Sequence, residues 1–143
     1  MARLRAGIGV ALLVSALFVG PSGAGDAPSP GSQYKNTKPI YIYAQYDSLN
    51  DRRITKETAR AYLHAERYAD KSTVAFQSEV PAGTRITIVG PAPTPWYMRL
   101  FKEAYLVQLS PDISRGLEVV LAVDRGLEGD LDGLNAAIFQ RVK

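Results

Sequence analysis

The chain has 143 residues, with 17 Lys plus Arg against 14 Asp plus Glu, one histidine and no cysteine. The lack of thiols excludes disulfides, thiolate catalysis, cysteine metal sites and the lipid-modified cysteine of a bacterial lipoprotein. Without Arg3 and Arg5, residues 25–143 carry 15 basic and 14 acidic side chains, about +1, which is not the basic stripe of a nucleic-acid binder.

Arg3 and Arg5 precede Ile8–Val19, an almost continuously apolar run that Gly20-Pro21 ends. Ser22-Gly23-Ala24 places small residues at the −3 and −1 positions of a cleavage site, and Gly25-Asp26-Ala27 offers a second. The apolar run of 12 residues is shorter than the roughly 20 a spanning helix needs. The expectation is a signal peptide over 1–24, cleavage near Ala24, and a periplasmic or secreted product with no stable membrane span. Gly25 to Lys38, rich in Pro, Gly and Ser, reads as a flexible linker. About 105 residues remain, 39–143, enough for one domain with its own core.

Pro39–Ala44 alternates Ile40 and Ile42 with Tyr41 and Tyr43, as a strand does when one face is partly wet. Asp47–Asp51 is turn chemistry. Over Thr55–Ala69 the period changes: Ala59, Tyr62 and Leu63 fall at helical spacing, Thr55 suits an N-cap, and three alanines favour helix. This predicts one inserted α-helix at about 55–69, with His64 on its surface rather than serving as a base or metal ligand. Ser72–Gln77 reads as the next strand. In Val80-Pro81-Ala82-Gly83, Pro81 presets the second position of a turn and Gly83 suits the fourth of a type I turn. Thr84–Val89 then alternates as a half-buried strand that Gly90-Pro91 stops.

Pro91-Ala92-Pro93-Thr94-Pro95-Trp96 forbids a central strand and favours an extended loop carrying the single tryptophan. It offers either an aromatic contact surface or a cap over the sheet's open end. Ala104–Leu109 and Leu117–Val123 read as an antiparallel hairpin across a turn at Ser110–Gly116. A helical turn over Leu134–Ile138 and a short closing strand over Phe139–Val142 complete a mainly β chain.

The first strand with its irregular loop, the Val-Pro-Ala-Gly-Thr turn feeding Arg85–Val89, and the hairpin of Tyr105–Leu109 with Leu117–Val123 together resemble bacterial SH3-like domains. That resemblance implies a small SH3-like barrel of five to six short antiparallel strands, with a one-turn helix and closing strand drawn from Gly133–Val142. The helix, the Pro-Trp insertion and the lack of a terminal Gly-Trp motif depart from it. The chain as a whole is similar to small exported proteobacterial proteins.

Two constellations bear on function. Eight tyrosines, four phenylalanines and one tryptophan supply amphipathic contact surface. A groove between loops, as SH3-like folds present, would be lined by Tyr41, Tyr43, Tyr46, Trp96, Tyr97 and Tyr105. Arg52, Arg53 and Arg99 would pair with ligand carboxylates such as those of a peptidoglycan stem peptide. The expectation is a non-catalytic binding module of the cell envelope, with an envelope protein or peptidoglycan as partner.

The second constellation is Asp124, Glu128, Asp130 and Asp132, with Gly133 following, which carries part of a calcium-loop pattern. The bidentate Glu is missing, because Phe139 stands at position 12 counted from Glu128. A Ca2+-stabilised periplasmic module is therefore one alternative, and a plain solvated turn is the other reading of the run. A small envelope hydrolase is a further alternative, built on His64 or on Glu79 with Asp112 or Glu118, although no catalytic motif is present.

Overall fold

The computed structural model describes residues 27–67, 72–93, 103–123, 128–130 and 133–143. Among these the protein is mainly β and contains no helix. In chain order the strands are β1 (Gln33–Asn36), β2 (Ile40–Tyr46), β3 (Ala59–His64), β4 (Val74–Val80), β5 (Arg85–Pro91), β6 (Glu103–Ser110), β7 (Val119–Val123), β8 (Gly129–Asp130), β9 (Gly133–Leu134) and β10 (Phe139–Arg141). Eight of them form one sheet in the order β10-β1-β5-β6-β7-β3-β2-β4, and β8 pairs with β9 as a separate ribbon. The sheet is thus larger than the five to six strands expected, and its ends, β10 and β4, are not joined by a ladder among the described residues.

Side-chain alternation builds the core. Ile40, Ile42 and Ala44 of β2, Ile86 and Ile88 of β5, and Val119, Leu121 and Val123 of β7 all point into one hydrophobic cluster. The remaining strands of the large sheet also contribute to or pack against that cluster, so the sheet curls around it. Two register shifts, at Ala44/Gln45 and at Ile88/Gly90, fall in the strands that must bend. The curl brings β1 back to the far edge. The Asn36 side-chain amide donates to the carbonyls of Lys38 at 3.0 Å, Val80 at 3.2 Å and Pro81 at 2.8 Å. The Asn36 carbonyl in turn accepts from the Gly83 N–H at 2.7 Å. Nearby in the sheet, the Arg115 guanidinium lies 4.2 Å from the centre of the Phe76 ring on β4.

Four expectations are corrected. The helix predicted over 55–69 is instead a turn followed by strand β3. Thr55 does start a turn, accepting from Thr58 and Ala59 N–H at 3.1 and 2.9 Å, but the chain then extends. In β3 the small or apolar Ala59, Ala61 and Leu63 are buried, while Arg60, Tyr62 and His64 face outward. Alanine's helix preference amounts to less than about 1 kcal/mol per residue, whereas β3 is hydrogen-bonded on both sides and close-packed against the core. Second, the sheet is not wholly antiparallel, because β3 runs parallel to β7, with Ala61 opposite Val119 and Leu63 opposite Leu121. Third, the stretch read as linker contains β1, whose Tyr34 is fully buried. Fourth, the turn before β5 closes one residue later than expected, from the Thr84 N–H to the Pro81 carbonyl at 3.3 Å. Gly83, at φ 84°, therefore fills the third position, where a type II turn requires a left-handed residue.

Candidate binding groove

A groove of about 560 Å3 runs beside β6, lined by residues of β3, β5, β6, the 112–118 turn and the first residue of β7, and floored partly by the core residues Val107, Leu109, Leu117 and Val119. Leu106 of β6 forms part of its lining, and Val89 of β5 stands at its side. Val89 is there because the register shift between Ile88 and Gly90 leaves it opposite no residue of β6, and it is 48% exposed. The parallel pairing of β3 with β7 adds Arg60 of β3 and Glu118, just before β7, to the same groove. Lys56 enters from the turn ahead of β3, and Asp112 from the turn between β6 and β7.

These four charged groups are not equally available. Arg60 Nε lies 3.6 Å from Glu118 Oε1, and both side chains are substantially exposed, so the pair is loose. Asp112 is committed to its turn. Hydrogen bonds from Ser114, including its N–H at 2.8 Å, hold the Asp112 carboxyl below the usual range. Lys56 is exposed and makes no ion pair among the described residues.

The aromatic residues expected to line one groove are divided between the two faces of the sheet. Tyr41 and Tyr43 face outward; Tyr43 stacks on Tyr62 with ring centres 5.5 Å apart, and the Arg67 guanidinium lies 5.2 Å from the Tyr41 ring. Tyr46 and Tyr105 instead pack against the core. The Tyr105 hydroxyl donates to Glu103 Oε2 at 2.7 Å; burial, then that bond, push the phenol above its ordinary value. Arg52 is exposed, and Arg53 is held by Asp51, which accepts from Arg53 Nε at 2.9 Å and Nη2 at 2.6 Å. The Arg53 side chain, then its backbone N–H, lower the Asp51 carboxyl to about 2. Trp96, Tyr97 and Arg99 lie outside the described residues.

His64 ends β3 rather than riding on a helix surface. Its Nε2 lies 3.4 Å from Oε1 of Glu128, a fully buried side chain that also accepts the Ala65 N–H at 3.0 Å. Nδ1 of His64 lies 3.1 Å from the Glu66 carbonyl. Of the carboxylates read as a calcium loop, Glu128 is thus turned toward β3. Asp124 and Asp132 lie outside the described residues, and for Asp130 only the backbone in β8 is described. Among the described residues, no three His, Cys, Asp or Glu side chains are grouped to hold a metal. No helix of the described residues is long and apolar enough to cross a membrane.

Lys56, Arg60, Leu106 and Val89 were not legible as a site. Arg60 and Glu118 meet only because two strands distant in sequence run side by side, and Val89, outward by ordinary alternation after Ile88, is left unpaired by a bulge. Set against known proteins, the chain matches no family model, no curated protein and no solved structure.

Proposed function

We propose that the chain is a non-catalytic binding module of the cell envelope, taking a peptide-like ligand from an envelope protein or from peptidoglycan. The observation that supports this reading is the groove beside β6, with an apolar lining, charges of both signs, and one cation, Lys56, without a counter-ion among the described residues. Its volume falls within the range of sites that hold small ligands, roughly 300–1,000 Å3. The resemblance to SH3-like domains enters at this level, since those domains also present a groove between loops. The signal-like residues 1–24 would deliver the module to the periplasm or beyond.

The test is co-sedimentation of residues 25–143 with purified peptidoglycan sacculi, alongside capture of envelope proteins on the immobilised chain. Both are repeated with Val89→Glu, a substitution at an exposed bulge position that leaves the core untouched. The expected result is saturable association with one of the two, lost in Val89→Glu. Association that survives Val89→Glu would remove the groove from the reading. A strict calcium requirement would favour the acidic run Asp124, Asp130 and Asp132 instead.

A further inference from the structure

We propose that the groove recognises the terminal carboxylate of a short peptide whose last side chain is small and aliphatic, and that Glu118 competes with that carboxylate for Arg60. The inference rests on the binding reading above and names the chemistry of its ligand.

The charges decide the sign of the ligand. Both acids of the groove already have partners, Asp112 in its turn and Glu118 on Arg60. Of the cations, Lys56 has none among the described residues. Arg60 offers five guanidinium donors, and Glu118 meets it at one contact of 3.6 Å. The formal charges of the groove balance, two cations against two carboxylates, so what it offers an anion is the unspent hydrogen-bond donors of Lys56 and Arg60. A carboxylate matches the fork of a guanidinium and can reach an ammonium at the same time.

The apolar lining decides the rest of the ligand. Leu106 and Val89 give aliphatic surface, and among the described residues no aromatic side chain lines the groove. A sugar ring or nucleobase would want an aromatic face to stack on, and Tyr41, Tyr43 and Tyr62 sit elsewhere on the outer surface. A methyl-sized or branched aliphatic side chain next to the carboxylate fits both parts.

The probes are N-acetyl-alanyl-alanine and its C-terminal amide, titrated against residues 25–143, a chain that includes every described strand. Binding is followed by calorimetry and by backbone amide NMR shifts. The acid is expected to bind with shifts at β6 and at the 112–118 turn, and the amide at least about tenfold more weakly. Lys56→Gln should weaken the acid by a similar factor. Glu118→Gln should tighten it several-fold, because Arg60 is released.

Equal binding of acid and amide at the groove would overturn the carboxylate inference while leaving the binding reading intact. Weakening by Glu118→Gln would overturn the competition. If neither peptide binds, the carboxylate inference falls, and the Val89→Glu comparison with sacculi and envelope proteins decides separately whether the groove binds anything. Circular dichroism of each variant separates loss of binding from loss of fold.

Discussion

Tyr34 is fully buried on β1, yet its hydroxyl meets no hydrogen-bond partner among the described residues. A buried polar group left in that condition costs stability that its ring packing must offset. Tyr34→Phe should therefore raise the unfolding free energy by about 1 kcal/mol, read as a higher urea midpoint at unchanged slope. Tyr105 is the contrasting phenol, held in its protonated form by burial and by Glu103. Its folded value lies above the unfolded value of about 10, so as pH rises the unfolded chain loses this proton first. The contribution is complete below about pH 10 and is lost above it. Stability should fall between pH 10 and 12, and Tyr105→Phe should make that fall shallower. The aromatic count was plain from the sequence, but which tyrosine turns inward was not. That choice follows from the strand's phase against the core, which sets Tyr46 and Tyr105 inside and Tyr41 and Tyr43 outside.

At the scale of elements, strands with a legible pattern were found close to their expected bounds: β2, β4, β5, β6 and β10 carry alternation, and β7, Val-Val-Leu-Ala-Val, is a continuous apolar run after a turn. β3 was misread because Ala-Arg-Ala-Tyr-Leu-His satisfies a helical period as well as a strand period. Partners on both sides, β2 and β7, settle the matter, and those are invisible in local pattern. β1 was missed because four residues beside a Gly- and Pro-rich tract carry too little pattern to stand out from it. The β8–β9 ribbon depends on one residue without a side chain. A Cβ on Gly129 would collide with the Gly133 carbonyl oxygen and press on Leu134 Cα, and its φ of 158° lies at the margin of the region side chains avoid. Gly129→Ala should break the ribbon and loosen Glu128 from Ala65 and His64, at a cost of about 2 kcal/mol. Hydrogen exchange should show the Ala65 amide losing protection first.

The whole molecule is held in its curl by few contacts between its two edges. Asn36 makes two of them, its side-chain amide donating to the carbonyls of Val80 and Pro81 as well as to that of its neighbour Lys38. Those acceptors fix which way the amide is turned, because the opposite orientation would set oxygen against oxygen. Asn36→Asp would place a carboxylate against the same carbonyls in a buried site. It should destabilise the chain by about 3 kcal/mol or more at neutral pH, and recover part of that loss in acid, where the carboxyl is protonated and can donate one bond. A melting series from pH 3 to 8 checks both the loss and its direction. Nothing in the local sequence marked Asn36 for this role, since its acceptors lie at residues 80 and 81.

β1 is sandwiched between β5 and β10, with Tyr34 opposite Ile86 on one side and Arg141 on the other. A chain threaded out of a ribosome or a translocation pore from its N-terminus has made β1 long before β10 exists. One side of β1 then waits for about a hundred residues to follow, and closing so long a loop carries a large entropic cost. The other seven strands of the large sheet, all within residues 33–123, can pair first, and this seam closes last. Until β10 pairs, that side of β1 is an open edge, ready for a carrier to hold or a protease to cut.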